Sequence, residues 1–396
     1  MRIPLLLIIA VIAYLGAARI FKIHAVPAFF RYFLGSGFGF LLIGLAAGSL
    51  GVGLLDGDAI AGFNPLVNLG IGWVGLLYGL QFRYKDLRSF PVRFYVGLLV
   101  ESLVTAGLVF AGLFGALSLA ALPGVAVLPV AVLLAVGAVE TSTTICALVI
   151  RDTGAVGSGT ELLKLYSSLN DSVAIVLFGI MIEVFSGRGG AGFHPSVLLW
   201  TAAVPLLGCL LGLLFFIISM YPYSENELLL LVIGFVVFCG GTANYLKLSP
   251  LFLSFVAGLT IANLETKRYR LFRVLASAEK PFFLVLAIMA GAQFRPDIVL
   301  YWLIGLVYFM VRFGAKWLAG RLGAAAGDYA VKTRRSWGLA MIPQGAMLLA
   351  ILMSQRLILG DHQADLIYTG ALIGLVLSTL FGPSFMKSFL AAETEP

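Results

Sequence analysis

Asp171 is a carboxylate in a mostly apolar stretch, residues 161–186, together with Asn170, Ser167 and Ser168. An ionisable residue inside a membrane-spanning segment is costly and usually serves function. The Asp171 carboxylate can hold a proton or a metal cation, but not both at once. A hard monovalent cation prefers oxygen ligands, which the Ser167 hydroxyl could supply one helical turn away on the same face, with Ser168 as a second candidate. The residue types therefore predict a site where a proton and a monovalent cation compete.

The composition places these residues in a membrane protein. The chain of 396 residues is 61% hydrophobic and 11% charged, whereas soluble domains carry about 25% charged residues. Its apolar segments are about 20 residues long, which favours membrane-spanning helices over barrel strands. The net charge of +7 is attributed to cytoplasmic loops, so it does not indicate a nucleic-acid partner.

The pattern of apolar segments predicts an all-α polytopic membrane protein with about 13 transmembrane helices. The predicted spans are 3–22, 33–55, 65–84, 91–120, 125–150, 161–186, 196–220, 226–246, 249–264, 275–294, 297–323, 335–356 and 364–389. Most of the 26 Lys and Arg residues fall on one side of this arrangement. Since basic loops stay in the cytoplasm, we expect the N-terminus outside and the C-terminus, with a short tail at 390–396, in the cytoplasm.

Two of the predicted spans carry residues that interrupt a helix. The fifth contains four consecutive hydroxyl residues, Thr141, Ser142, Thr143 and Thr144, and the twelfth contains Pro343, Gln344 and Gly345. Hydroxyl side chains compete for backbone groups, and proline removes a donor. The two breaks occupy corresponding places in the two halves of the chain and run in opposite directions, which is typical of an inverted-repeat transporter. The simpler alternative is that the hydroxyls only bond to their own helix backbone.

Further charged residues lie at membrane depth. Arg312 is always charged, so it needs a carboxylate or the negative end of a half-helix. Glu140 is the favoured partner and Glu101 competes for that role; Glu140 could instead be a cation ligand or a second proton site. We expect Lys316, one turn nearer the cytoplasm, to extend toward the headgroups, and Asn170 to bond across to the broken helix.

This ordered set of motifs resembles the monovalent cation:proton antiporter superfamily, the sodium/proton exchanger family. The resemblance rests on Thr141-Ser-Thr-Thr, then Asn170-Asp171, and the Pro343-Gln-Gly break, and it covers nearly the whole chain. It implies that Asp171 carries the ion and the proton and that Arg312 is the basic residue of the second crossing region. It also implies that Ser167 is a hydroxyl ligand of the ion. Beyond the resemblance, the further candidate ion-binding residues are Asn170 and the interrupted segment Thr141, Ser142 and Thr143, whose freed carbonyls would suit a cation.

The resemblance also implies an architecture. Residues 91–186 and 297–389 would form a six-helix core that moves as an elevator, and residues 1–90 and 196–294 a panel that makes a homodimer contact. The chain departs from the sodium-type pattern at Thr141-Ser142-Thr143, which is closer to the potassium-efflux branch. Tyr166 stands where a glutamate is common, and Gln81 ends the third span where the family often has a glutamate.

The expected function is exchange of one monovalent cation for one proton without net charge movement, with Na⁺ as the first candidate and Li⁺ or K⁺ as the others. The alternatives are a K⁺/H⁺ antiporter and a sodium-coupled organic anion transporter, in which Arg312 and Lys316 would bind the anion. An enzyme is not expected, because the sequence has no nucleotide loop, metal-ligand cluster or convincing nucleophile–base pair. No cofactor is expected.

Overall fold

A computed structural model of the chain describes residues 32, 36–122, 124–185, 195–221, 223–264, 268–295, 298–329, 336–359 and 362–394. These residues form α-helices joined by short connections, with no strand among them. The first predicted span, 3–22, lies outside the described residues.

The described helices are numbered α1 to α14 in chain order. The first seven are α1 (Phe38–Ala47), α2 (Gly57–Leu80), α3 (Tyr84–Leu87), α4 (Val92–Ala120), α5 (Val127–Gly137), α6 (Thr143–Thr153) and α7 (Ser158–Phe185). The other seven are α8 (Pro195–Ser219), α9 (Glu225–Tyr245), α10 (Pro250–Leu264), α11 (Arg268–Ala292), α12 (Val299–Ala326), α13 (Ala346–Leu359) and α14 (His362–Thr394). A 3₁₀ turn, Gly338–Met341, precedes α13.

Eight of the described helices are long and apolar enough to cross a membrane, namely α2, α4, α7, α8, α9, α11, α12 and α14. Four apolar helices are shorter: α1, α5, α10 and α13. The prediction of an all-α membrane protein is confirmed. At the C-terminus, α14 continues to Thr394, so residues 390–394 extend the last helix instead of beginning a separate tail.

Both predicted helix breaks are present. In the first half, α5 ends at Gly137 and α6 begins at Thr143, where the Ser142 side chain caps the new helix by accepting from the Ile145 N–H. In the second half, the 3₁₀ turn ends at Met341 and residues 342–345 belong to no helix before α13 begins. The first break therefore separates two half-helices, and the second separates a 3₁₀ turn from α13.

The two halves of the chain pack on each other through two matching pairs of helices, each formed by the second span of one half and the third span of the other. The third span of the first half, α2, packs on the second span of the other half, α10, and the reciprocal pair α1 and α11 also packs. Each contact brings backbones together at glycine. A Cβ on Gly258 would collide with the Leu76 carbonyl, and one on Gly291 with the Leu41 carbonyl. In membranes, small residues allow such close helix approach.

Each half ends in three spans, and the first helix of each set is α4 in one half and α12 in the other. These two helices pack against each other, and α12 also packs on α14. This arrangement encloses the two breaks. The described charged and amide residues named from the sequence at membrane depth, Glu101, Glu140, Asn170, Asp171, Arg312, Lys316 and Gln344, are all buried.

Candidate functional site

The two interrupted segments meet in the middle of the molecule. The Ser142 N–H donates to the Pro343 carbonyl at 2.8 Å, and the Thr141 hydroxyl donates to the Met341 carbonyl at 3.3 Å. Gly345 lies so close to the Ser142 side chain that a Cβ there would collide with it. The glycine of the second break thus permits the first break to cross it.

Helix α5 ends in carbonyls that have lost their helical partners. Four successive ones are bound by side chains from the second half of the chain. Gln344 Nε2 donates to Gly137 O at 3.0 Å, Arg312 Nε to Ala138 O at 2.9 Å, Lys316 Nζ to Val139 O at 2.8 Å and Arg312 Nη2 to Glu140 O at 2.8 Å. Positive groups at a helix C-terminus also stabilise the helix dipole.

Arg312 joins both broken segments. Besides the two carbonyls of the first break, its Nη1 donates to Ile342 O at 2.6 Å in the second break and to Ser378 Oγ at 3.4 Å. The side chain is 1% exposed. Of the two partners considered from sequence, Arg312 therefore uses the negative ends of half-helices.

The favoured ion pair between Arg312 and the Glu140 carboxylate needs correction. The Glu140 carboxylate accepts the Gly345 N–H, with its two oxygens at 3.0 and 3.2 Å from the nitrogen, just before α13 begins. An acidic group is stabilised at a helix N-terminus, where the dipole is positive. Glu140 thus caps one half-helix while Arg312 caps another.

Lys316 does not extend to the headgroups, and that expectation was wrong. Its side chain is fully buried and forms a salt bridge with Glu101, from Nζ to Oε1 at 2.9 Å. The burial has a physical reason: Lys316 Nζ also donates to Val139 O and to the Thr141 hydroxyl, so three oxygens replace its water. Glu101 is therefore the partner of Lys316 and not of Arg312.

Asn170 ties α7 to this cluster. Its Nδ2 lies 3.3 Å from both Glu101 Oε2 and Thr141 Oγ1, and its Oδ1 accepts from Ser102 Oγ at 3.0 Å. The Asn170 amide nitrogen thus bonds across to the broken helix, and its amide oxygen accepts the Ser102 hydroxyl. This arrangement positions Asn170 as a support for the site more than as a cation ligand.

Tyr166, where the resemblance led us to look for a glutamate, supports the same helix. Its hydroxyl donates to Gly97 O at 3.1 Å, and its ring packs edge-on against Trp337, with centroids 5.3 Å apart. The missing carboxylate is thus replaced by an aromatic anchor, which agrees with Arg312 taking carbonyl partners.

Asp171 lies beside the first break and is 1% exposed. The Thr141 N–H and the Tyr78 hydroxyl of α2 face its carboxylate. Its Oδ1 has no hydrogen-bond partner among the described residues. A buried carboxylate oxygen left open in this way can take a proton or an ion, because an unpaired buried charge is costly.

A cavity of about 300 Å³ reaches the residues around Asp171. Its polar lining includes Tyr78, Gln81, Thr143, Ser167, Ser168 and Glu279. Lys164, whose side chain is 46% exposed, marks the end of the cavity at the protein surface. The cavity therefore connects the outside of the molecule to the neighbourhood of Asp171 from the N-terminal side of α7.

The hydroxyls named from sequence fall into two groups. Thr141 Oγ1 bonds Met341 O, Asn170 and Lys316, and Ser142 caps α6, so both support the crossing. Thr143 and Ser167 line the cavity instead. Thr144, the second residue of α6, lines a separate smaller cavity that Glu279 also lines.

Tyr78 and Glu279 were missed by the sequence reasoning. Tyr78 lies in a long apolar helix and gave no signal, since one tyrosine in a span is ordinary. Glu279 could have been recognised from the sequence, because an acidic residue inside a predicted span, here directly before Lys280-Pro281, is unusual at membrane depth.

The match with known families decides the identity. Residues 7–392 match the family model described as sodium/hydrogen exchanger, transmembrane. The chain belongs to the sodium/hydrogen exchanger family. The resemblance inferred from the motifs is thus confirmed, and this exchanger is a membrane transporter of cations and protons and not an enzyme.

Solved structures agree on the fold of this exchanger. The structure of the sodium proton antiporter MjNhaP1 from Methanocaldococcus jannaschii at pH 8 matches with a TM-score of 0.72 and 16% identity, covering 100% of this chain and 99% of that chain. An electron-microscopy structure of MjNhaP1 matches with a TM-score of 0.62 and 17% identity, covering 90% of this chain and 92% of that chain. None of the curated proteins matches.

Proposed function

We propose that this exchanger swaps one Na⁺ for one proton at Asp171. The observation that carries the proposal is the buried Asp171 carboxylate with an open oxygen, beside the helix crossing and close to the inner end of a polar cavity. Thr143 and Ser167 line that cavity and offer neutral hydroxyl oxygens to a cation. Because the proton and the cation occupy the same carboxylate, the binding of one displaces the other.

The charges of the buried cluster support exchange without net charge movement. We take Arg312 and Lys316 as two positive charges, and Glu101, paired with Lys316, and Glu140, which accepts the Gly345 N–H, as two negative charges. These four balance, so the net charge of the cluster is set by Asp171. A proton or a monovalent cation neutralises Asp171 equally, and the loaded site then has the same charge in both cases.

The same contacts argue against the organic anion alternative. Arg312 donates to the carbonyls of Ala138, Glu140 and Ile342. Lys316 donates to the Val139 carbonyl and to the Glu101 carboxylate. Both side chains are buried and neither lines the cavity beside Asp171. A bound organic anion would have to break those contacts first.

For the movement, we take residues 91–186 and 297–389 as a core that carries Asp171 and slides against a panel formed by 1–90 and 196–294. With the N-terminus outside, as the basic residues suggest, the cavity opens to the cytoplasm. Hydrogen bonds connect the two parts. One joins Ser168 to Gln81 in the cavity wall. The others join Ser249 to Ser354 and the Tyr368 hydroxyl to the Ala290 carbonyl. A homodimer through the panel follows from the family resemblance.

The proposal is tested by reconstituting Asp171→Asn in proteoliposomes that contain a pH dye. A Na⁺ gradient should drive proton movement in the wild type and none in the variant. Glu225→Gln, which neutralises an exposed acid at the start of α9 that does not line the cavity, is the control and should behave as wild type. Normal exchange by Asp171→Asn would refute the role of Asp171.

Competition gives a second test. Lowering the pH on the side of cation entry should raise the apparent KM for Na⁺, by up to about tenfold per pH unit, while the maximal rate at saturating Na⁺ stays constant. Repeating the titration with Li⁺ and K⁺ tests the choice of ion. A maximal rate that falls with unchanged KM would contradict the shared site.

A further inference from the structure

Glu279 lies where two cavities approach each other. It lines the cavity of about 300 Å³ that leads toward Asp171. It also lines a cavity of about 100 Å³ bounded by Ser36, Thr144 and Ala346. The carboxylate therefore faces the first turns of α6 and α13, the half-helices that begin at the two breaks.

Glu279 is close enough to influence the site electrostatically. Its charge interacts with Asp171 and with Tyr78, whose hydroxyl faces Asp171. Glu279 is half-buried, while its neighbour Lys280 is exposed, lines the smaller cavity and acts on Glu279 through its positive charge. At the surface end of the cavity, the positive Lys164 is paired with Glu161 at 2.7 Å. A cation that enters the cavity thus first passes the neutral Lys164–Glu161 pair and then meets the negative charge of Glu279.

The placement of Glu279 on α11 distinguishes it from Asp171. Helix α11 packs on α1 and α2, which belong to the proposed panel, whereas Asp171 lies on α7 of the proposed core. When the core moves, Asp171 travels and Glu279 stays on its own side of the membrane. A carboxylate at this position can act on ions from one side of the membrane only.

We propose that Glu279 is a waiting site for the monovalent cation, which it binds with the hydroxyl and amide oxygens of the cavity wall before Asp171 takes it. This inference rests on the proposed exchange at Asp171. A carboxylate in a partly dehydrated cavity attracts a cation more strongly than one in water, because the effective dielectric constant is lower. Glu279 raises the local cation concentration beside Asp171 and does not travel with the ion.

The test uses oriented membrane vesicles, inside-out and right-side-out, with full-length protein and Na⁺ as the probe. Glu279→Gln should raise the apparent KM for Na⁺ roughly three- to tenfold from the side on which the cavity opens. The KM from the opposite side and the maximal rate should not change. Asp86→Asn, an exposed acid on α3 that does not line the cavity, is the matched control and should leave both KM values unchanged.

Ionic strength separates a cavity charge from a surface charge. The effect of Glu279→Gln should persist when a non-transported salt is added, because charges inside a cavity are screened less than exposed ones. If Glu279→Gln does not yield folded protein, Glu279→Ala carries the same test, since it also removes the charge. A variant with wild-type KM on the cavity side, or with KM raised equally on both sides, would overturn the waiting site.

Asp171→Asn measured in the same vesicles keeps the two proposals apart. Exchange that survives Asp171→Asn overturns the proposed function, and the waiting site with it. Exchange abolished in Asp171→Asn together with unchanged kinetics in Glu279→Gln overturns the waiting site alone.

Discussion

Arg312 binds the main-chain oxygen of Glu140 at 2.8 Å, while the side-chain carboxylate of the same Glu140 accepts the N–H of Gly345. The backbone of Glu140 therefore binds a guanidinium group, and its side chain caps the N-terminus of α13. The unwound segment between α5 and α6 is thereby fixed to both α12 and α13. The crossing is thus stabilised by charges that complement the ends of its helices.

Replacing Arg312 should mainly lower stability. Arg312→Ala leaves the Ala138, Glu140 and Ile342 carbonyls buried without donors, and each orphaned group costs about 1–3 kcal/mol. Arg312→Lys keeps the charge but cannot reach all three, because its ammonium is a point donor. We expect a lower thermal midpoint for Arg312→Lys and a larger drop for Arg312→Ala, measured by fluorescence-detected size-exclusion chromatography. A stable Arg312→Ala with lost Na⁺ affinity would instead assign Arg312 to ion binding.

The Glu101–Lys316 pair predicts a non-additive pair of mutations. Removing one partner leaves a buried charge, so Glu101→Gln and Lys316→Met should each cost about 3–5 kcal/mol of stability. The double variant should recover part of that loss, since both charges leave together. A double-mutant cycle of thermal midpoints measures the coupling. Additive losses would show that the two residues act separately, which would contradict a pair 2.9 Å apart.

The sequence predicted the two helix breaks and the burial of Asp171 better than it predicted which charged residues pair. Asp171 and the two breaks stand out because polar or helix-breaking residues in apolar spans conflict with the membrane environment. The contacts of Lys316 could not be derived, since its partner Glu101 is 215 positions away and the position near the end of a span favoured an extended lysine. Only the packing of α4 against α12 brings the pair together.

Glycine at the symmetric helix crossings should be required for packing. In Gly258→Ala the new methyl meets the Leu76 carbonyl, and overpacking costs about 1–3 kcal/mol. Gly107→Ala on α4 is the matched control, because nothing lies within 4 Å of the position that its new methyl would take. We expect a lower thermal midpoint for Gly258→Ala and an unchanged or slightly higher one for Gly107→Ala. Equal midpoints would mean that α2 and α10 can separate without cost.

The charge balance around Asp171 predicts that transport does not respond to membrane voltage. A loaded site has the same charge with a proton or with Na⁺, so an imposed potential does no work on the loaded core. Exchange rates in proteoliposomes clamped with K⁺ and valinomycin should stay flat between zero and about 100 mV, where each net charge moved would change the driving force by about 2.3 kcal/mol. A steep dependence would require a second titrating group, of which Glu140 and Lys316 are the buried candidates.

The Ser249–Ser354 contact predicts a reversible lock on the core. Their hydroxyl oxygens are 2.9 Å apart, with Ser249 preceding α10 in the proposed panel and Ser354 on α13 in the proposed core. In Ser249→Cys/Ser354→Cys, with the native Cys146, Cys209 and Cys239 replaced by serine, oxidation should form a disulfide across the two parts. Exchange should stop on oxidation and return on reduction, because the tether prevents sliding. Each single cysteine variant, oxidised in the same way, should keep its activity. A cross-linked protein that exchanges at the normal rate would mean that Asp171 reaches both sides without movement of the core against the panel.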